Sequence, residues 1–373
     1  MSADILQLAV PGVQALQPYA PGKPLSELER EYGIRSAIKL ASNENPLGPG
    51  RTVIEALRSG FDELARYPDG NGYRLKSALA GKLSVSVESI TLGNGSNDVL
   101  ELVARAFLSP QTSAVFSQHA FAVYPLVTQA IGAQSRVVAA HDGSRGPAFG
   151  HDLDAMLRAV AENTRVVFIA NPNNPTGTWV SAAELRKFLE CMSASVIVVV
   201  DEAYFEYVNE PDYPNAMQWV EEFPNLLVTR TFSKAYGLAS LRVGYGVSQP
   251  ELADLLNRVR QPFNVNSLAQ LAAVAALVDD EHLQKSIRVN QQGMAQLTQG
   301  FESLGLAFVP SVGNFIALQI GENASAVYEG LLREGVIVRP VDNYAMPGYL
   351  RISIGLAEEN NRLLRALGKV IRL

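Results

Sequence analysis

The 373 residues include 31 basic and 37 acidic side chains, a formal net charge of −6, with 47% hydrophobic and 18% charged residues. That apolar content suffices for a large buried core and excludes a disordered chain, while the acidic balance gives no bulk attraction to nucleic acid or anionic lipid. A single cysteine, Cys191, cannot form an internal disulfide, so the expected address is the reducing cytoplasm.

At the N-terminus no basic residue precedes Lys23, and Pro11 and Pro18 interrupt the apolar stretch, so no secretory signal is expected. No run approaches the ~20 apolar residues of a membrane span. From about residue 87 to 247, short β-branched runs alternate with helical stretches. Strands are predicted at Ser89–Leu92, Ala114–Ser117, Arg136–Ala139, Arg165–Ala170, Val196–Val200, Leu226–Arg230 and Val243–Val247. Helices are predicted at Asn97–Phe107, Tyr124–Ile131, Leu153–Val160 and Ala182–Glu190. Such alternation predicts an α/β fold, a mostly parallel seven-stranded sheet between helices. Val196–Val200 is β-branched throughout, as expected of a central strand buried on both faces. Asp201 follows it at the carboxyl end, where open α/β sheets bind ligands.

Beyond about residue 260 the pattern changes. A long helical segment from Leu268 to Leu304 leads into strands at Phe315–Ile320, Val336–Val338 and Leu350–Ser353, with helices at Ala324–Arg333 and Glu358–Leu367. The expected division is a large domain, 46–265, and a small α+β domain formed by 1–45 and 266–373, the N-terminal segment packing across both.

Several chemistries are disfavoured. His119, His141, His151 and His282 are scattered without ligand spacing, so no metal site is expected. Gly93-Asn94-Gly95 begins like a dinucleotide fingerprint, but position 98 is Asp where a third glycine is needed for close packing. No GxxxxGK[ST] loop or GxSxG elbow occurs. Cys191 lies on a predicted helix among apolar neighbours and reads as a buried, inert thiol.

Four segments remain: Gly93-Asn94-Gly95-Ser96-Asn97-Asp98, Asn171-Pro172-Asn173-Asn174-Pro175-Thr176-Gly177, Asp201-Glu202-Ala203-Tyr204, and Thr231-Phe232-Ser233-Lys234 with Arg242 eight residues on. In this order and spacing the chain resembles the fold type I aminotransferases that use pyridoxal 5′-phosphate, from Tyr19 to Arg351. Within them it is most similar to the histidinol-phosphate aminotransferases.

The resemblance implies a role for each segment, and the chemistry explains the residue types. Lys234 is the amine that would hold the cofactor aldehyde as a Schiff base and then shift the substrate proton between two carbons. Asp201 would keep the pyridine nitrogen protonated, while Asn174 and Tyr204 would hydrogen-bond the phenolic oxygen. Gly95, Ser96 and Asn97, where a strand gives way to a helix, would offer backbone N–H groups to the phosphate. Thr231, Ser233 and Arg242 would add hydroxyls and a guanidinium. The family has Gly-Ala/Ser-Asp-Glu at that loop where this chain has Gly-Ser-Asn-Asp, so only backbone donation carries over to Asn97. Phe121 occupies the position of the ring-stacking aromatic, with Tyr124 as its rival. Tyr67, in Arg66-Tyr67-Pro68, matches a tyrosine that completes the phosphate site of the neighbouring subunit, which implies a homodimer.

For the substrate, Arg351 matches the family's carboxylate-binding arginine and Arg339 a second basic residue of the pocket; planar guanidinium groups suit carboxylate and phosphate alike. Tyr19 and Asn43 match the N-terminal segment covering the substrate. The implied reaction converts L-histidinol phosphate and 2-oxoglutarate to imidazole acetol phosphate and L-glutamate. Aromatic amino acids as donors, or decarboxylation of threonine phosphate, stand as alternatives on the same scaffold. A ligand sensor attached to a transcription regulator is disfavoured by the acidic charge and by how near the start of the chain the resemblance begins.

Overall fold

The computed structural model describes residues 5–18, 22–34 and 36–371. Its strands in chain order are Ile38–Lys39 (β1), Ile90–Gly93 (β2), Ser113–Ser117 (β3), Gln134–Val138 (β4), Thr164–Ala170 (β5), Ile197–Asp201 (β6) and Leu226–Thr231 (β7). They continue with Gly244–Ser248 (β8), Phe308–Val309 (β9), Phe315–Gln319 (β10), Val336–Ile337 (β11), Arg339–Pro340 (β12) and Tyr349–Ser353 (β13). A seven-stranded sheet runs in the order β2-β8-β7-β6-β5-β3-β4, parallel except for β8, which is antiparallel to both neighbours. Pleating sends alternate residues to opposite faces. Val167, Ile169, Val198 and Val200 accordingly enter one apolar core, and Val166, Phe168 and Val199 the other. Helices cover both faces, which is why these strands read as unbroken apolar runs.

A second sheet, β12-β13-β10-β9, is antiparallel and carries a smaller core built on Leu297, Phe301, Ile316, Leu318, Ile352 and Leu363. The run predicted as one strand at Val336–Val338 is divided. β11 pairs in parallel with β1, Val338 turns the chain, and β12 pairs with β13 in a register that sets Arg339 opposite Arg351. The N-terminal segment touches both units: Gly12 approaches the helix Val123–Ile131 so closely that an added Cβ would lie 2.0 Å from the Gln129 carbonyl, and β1 joins β11.

Two expectations are revised. The helical segment expected from Leu268 to Leu304 is two helices, Ser267–Leu277 and Asp280–Ser303, because the Asp279 side chain accepts from the His282 amide and caps a new start. The first of these shares the core of the seven-stranded sheet through Ala269, Ala272, Ala273 and Ala276. Cys191 is exposed: the helix Ala182–Cys191 buries Leu185, Phe188 and Leu189, and Met192 takes the next inward position.

Candidate active site

The carboxyl ends of β5, β6 and β7 open into a cavity of about 330 Å³ that reaches across to the second sheet. Asp201 ends β6 and is buried. Its two carboxylate oxygens accept from Tyr124 Oη at 3.0 Å and Thr229 Oγ1 at 2.8 Å. Burial pushes this carboxyl up, while the two hydroxyls and Lys234 oppose the shift.

Lys234 follows β7 by three residues, and its Nζ donates to the Ser42 carbonyl at 3.3 Å. Burial pulls its amine down to about 7, and the charges of Arg351 and Arg242 push the same way. A substantial fraction of this amine is then neutral and nucleophilic near neutral pH. Tyr204 is buried beside it, with Lys234 Nζ 5.6 Å from the ring centroid and the Asn43 amide donating to Tyr204 Oη at 2.9 Å. Asn43 holds a left-handed backbone (φ 53°), fixed by Ser353 Oγ accepting from its amide at 2.7 Å.

One end of the cavity is an anion cradle. Gly95, at φ 78°, precedes the helix Ser96–Phe107, whose first amides have no intrahelical carbonyl to serve. A Cβ on Gly244 would come within 2.4 Å of the Ser96 nitrogen, so β8 approaches this helix start only as glycine. Arg242 reaches the same place, donating to Ser233 Oγ at 3.3 Å and the Ala239 carbonyl at 3.1 Å. Thr231 lines the cavity and its Oγ1 accepts from the Ser233 amide at 3.1 Å. Helix amides, two hydroxyls and a guanidinium suit a phosphate.

The other end holds the two arginines of β12 and β13, both buried. Arg351 donates to Asn174 Oδ1 at 2.5 Å and to the Ala41 carbonyl at 2.7 Å, while its Nε is buried with no hydrogen-bond partner. An orphaned, charged donor in a cavity wall calls for an anionic ligand.

Lys234, Asp201, Tyr204, Asn174, Ser96, Asn97, Phe121, Thr231, Ser233, Arg242, Asn43, Arg339 and Arg351 all line this one cavity, with Gly95 directly behind Arg242. Tyr19 lies outside the described residues. Tyr67 is not in the cavity; it is 82% exposed and stacks on Phe263 at 4.8 Å. Of the two rival aromatics, Phe121 faces the cavity, whereas Tyr124 is fully buried, parallel to Phe168 at 4.8 Å with its hydroxyl on Asp201. That second task for Tyr124 and the contribution of Thr229 were not foreseen. Thr229 had a signal, since it shares strand parity with Thr231. Among the described residues no three potential metal ligands cluster, and no helix is long and apolar enough to cross a membrane.

The aminotransferase class I and II family matches residues 35–367. The chain belongs to that family. This aminotransferase is 61% identical to histidinol-phosphate aminotransferase 2 of Pseudomonas fluorescens, over 100% of this chain and 99% of that protein. It is 60% identical to histidinol-phosphate aminotransferase 2 of Pseudomonas aeruginosa over 99% of each chain. Among solved structures it is similar to the histidinol-phosphate aminotransferase of Sinorhizobium meliloti in complex with pyridoxal 5′-phosphate, with a TM-score of 0.87, 30% identity and 97% of both chains covered. An aspartate aminotransferase of Thermus thermophilus shares the fold at a TM-score of 0.83 and 23% identity, over 96% of this chain and 98% of that one. The α/β fold and family expected from the motifs are thus both found.

Proposed function

We propose that this aminotransferase acts on L-histidinol phosphate and 2-oxoglutarate in histidine biosynthesis, using pyridoxal 5′-phosphate. The observation that carries this reading is one cavity joining a buried lysine of lowered pKa to an anion cradle at one end and two buried arginines at the other. Near 60% identity over the full chain to enzymes of that name supports it.

Pyridoxal 5′-phosphate, when bound, supplies an aldehyde that condenses with amines and a cationic ring that draws electrons from the substrate α-carbon. Lys234 is assigned as its anchor and as the base that takes the α-proton on Nζ and returns it. Asp201 would pair with the ring nitrogen, Phe121 would cover the ring face, and Asn174 and Tyr204 would serve the phenolic oxygen. The amides of Gly95, Ser96 and Asn97, the hydroxyls of Thr231 and Ser233, and Arg242 would hold the phosphate. Arg351 and Arg339 grip the anionic groups of the two substrates in turn, and Asn43 and Tyr19 cover them. Two arginines favour a doubly charged substrate phosphate over an aromatic side chain.

Tyr67 is assigned to the partner's site in a homodimer. Its exposure, beside the likewise exposed Phe263 on which it stacks, supports that assignment. We place the protein in the cytoplasm, and the seam between its two domains at the Val278–Asp279 break rather than at residue 265.

Single-turnover absorbance changes test the substrate. The cofactor-loaded enzyme is mixed separately with histidinol phosphate, glutamate, phenylalanine and threonine phosphate, with carbon dioxide monitored. Histidinol phosphate and glutamate should convert the cofactor band; faster conversion by phenylalanine, or carbon dioxide from threonine phosphate, would overturn the assignment. Lys234→Ala should lose both the yellow absorbance and borohydride-trappable cofactor.

A further inference from the structure

The loop that carries Phe121 does more than present a ring to the cavity. Two residues earlier, His119 points away from the cavity and crosses to the second sheet. It is buried, and its Nδ1 lies 2.8 Å from the Tyr344 carbonyl. A carbonyl can only accept, so Nδ1 carries the proton and donates. The His119 carbonyl in turn accepts from Asn173 Nδ2 at 2.9 Å, in the segment next to Asn174. The imidazole meets Phe149 edge-on at 5.2 Å, and Phe149 meets Tyr349 at 5.4 Å. Around this contact, Ala122 and Phe149 pack on a small apolar core of Val309, Ala317, Val341, Tyr344 and Met346.

Tyr344 closes a single turn, Asp342–Tyr344, that begins two residues after β12, the strand bearing Arg339. The turn is held locally by the Tyr344 amide donating to the Val341 carbonyl at 2.9 Å, and it exits through Ala345 at φ 55°. Residue 119 therefore touches three distant stretches of chain: its imidazole ties the Phe121 loop to the turn that follows the Arg339 strand, and its backbone carbonyl holds the Asn173–Asn174 segment.

We propose that His119 is a positioning residue that fixes the Arg339 strand against the Phe121 loop, so that the substrate-anion end of the cavity stands in register with the ring-covering end. The side chains packed around this contact are apolar, and apolar contact is non-directional; the directed N–H···O bond favours one angle between the two surfaces here. A one-ångström displacement of a binding group is costly in a preorganised site. The effect falls on substrate binding, because the phosphate cradle at Gly95, Ser96 and Arg242 lies wholly on the seven-stranded sheet and its helices.

The test compares His119→Leu with His119→Asn. Leucine keeps apolar bulk and removes the donor. Asparagine places an amide nitrogen at the same distance from the backbone as Nδ1, so it can reach Tyr344. His119→Leu should raise KM for histidinol phosphate about tenfold, with kcat within about threefold and cofactor affinity unchanged. Amide hydrogen exchange over residues 341–346 should quicken while β5 stays as protected as in the native protein, and His119→Asn should restore both KM and exchange. An unchanged KM in His119→Leu, a parallel loss of cofactor affinity, or failure of His119→Asn to restore either quantity would overturn the proposal. If His119→Leu does not fold, His119→Ser, too short to reach Tyr344, takes its place in the same comparison. The KM measurement rests on the histidinol-phosphate assignment above, whereas the exchange measurement does not. A native enzyme inactive on that substrate would sink that assignment, and the exchange result alone would then decide the role of His119.

Discussion

At the Arg242 end of the cavity, the anion-binding groups that the chain supplies to its own cavity come from stretches tied into the seven-stranded sheet: the helix start at Ser96, the turn after β7, and the residue preceding β8 by two. At the Arg351 end the groups converge from β12, β13, the Asn171–Gly177 segment and the stretch around Asn43, and they belong to both sheets. The first end is preformed on one rigid element. The second exists only when two units and an N-terminal segment are brought together, so the two ends should respond differently to substitution.

The largest effect should come from the assembled end. Arg351→Ala removes a buried guanidinium held by Asn174 and Ala41, and kcat/KM should fall by about 10²–10³, with cofactor affinity unchanged in equilibrium dialysis. Equal losses of substrate and cofactor binding would erase the distinction between the ends. An intermediate effect is expected at the preformed end. Gly95→Ala forces a Cβ into a backbone at φ 78° and to within 2.4 Å of Arg242 Nη2. Cofactor affinity should drop about tenfold, while KM at saturating cofactor holds. The smallest effect is expected between the two. Tyr124→Phe keeps the ring on Phe168 but deletes a hydroxyl that lowers the Asp201 pKa. Asp201 then titrates at higher pH, so the acid limb of kcat should move upward in pH. An unmoved acid limb would show that Asp201 does not need to be ionised.

Sequence legibility followed the same divide. The central strands β5, β6 and β7 were the most readable because each is a short, largely β-branched or apolar run buried on both faces, and cofactor-end motifs sit at their carboxyl ends. Four contiguous segments sufficed to locate Lys234, Asp201, Gly95 and Arg242. The short strands β1 and β9 were missed, since two residues leave no periodicity to detect. The division of β11 from β12 was missed because Val336-Ile337-Val338 reads as one run, and only pairing with two different partners divides it. The tie of Tyr124 to Asp201 spans 77 positions, and no local pattern announces such a bond. Cys191 was misjudged because a helix with apolar neighbours still has an outward face, and here Met192 fills the inward slot.

Val338 alone separates the pairing of Ile337 with Lys39 from that of Arg339 with Arg351. Adding or deleting one residue there would turn Arg339 to the opposite face of its strand, because side chains alternate with a period of two. New substrate preferences along this rim must therefore evolve by exchanging side chains at constant loop length, and the N-terminal segment inherits that restriction through β1.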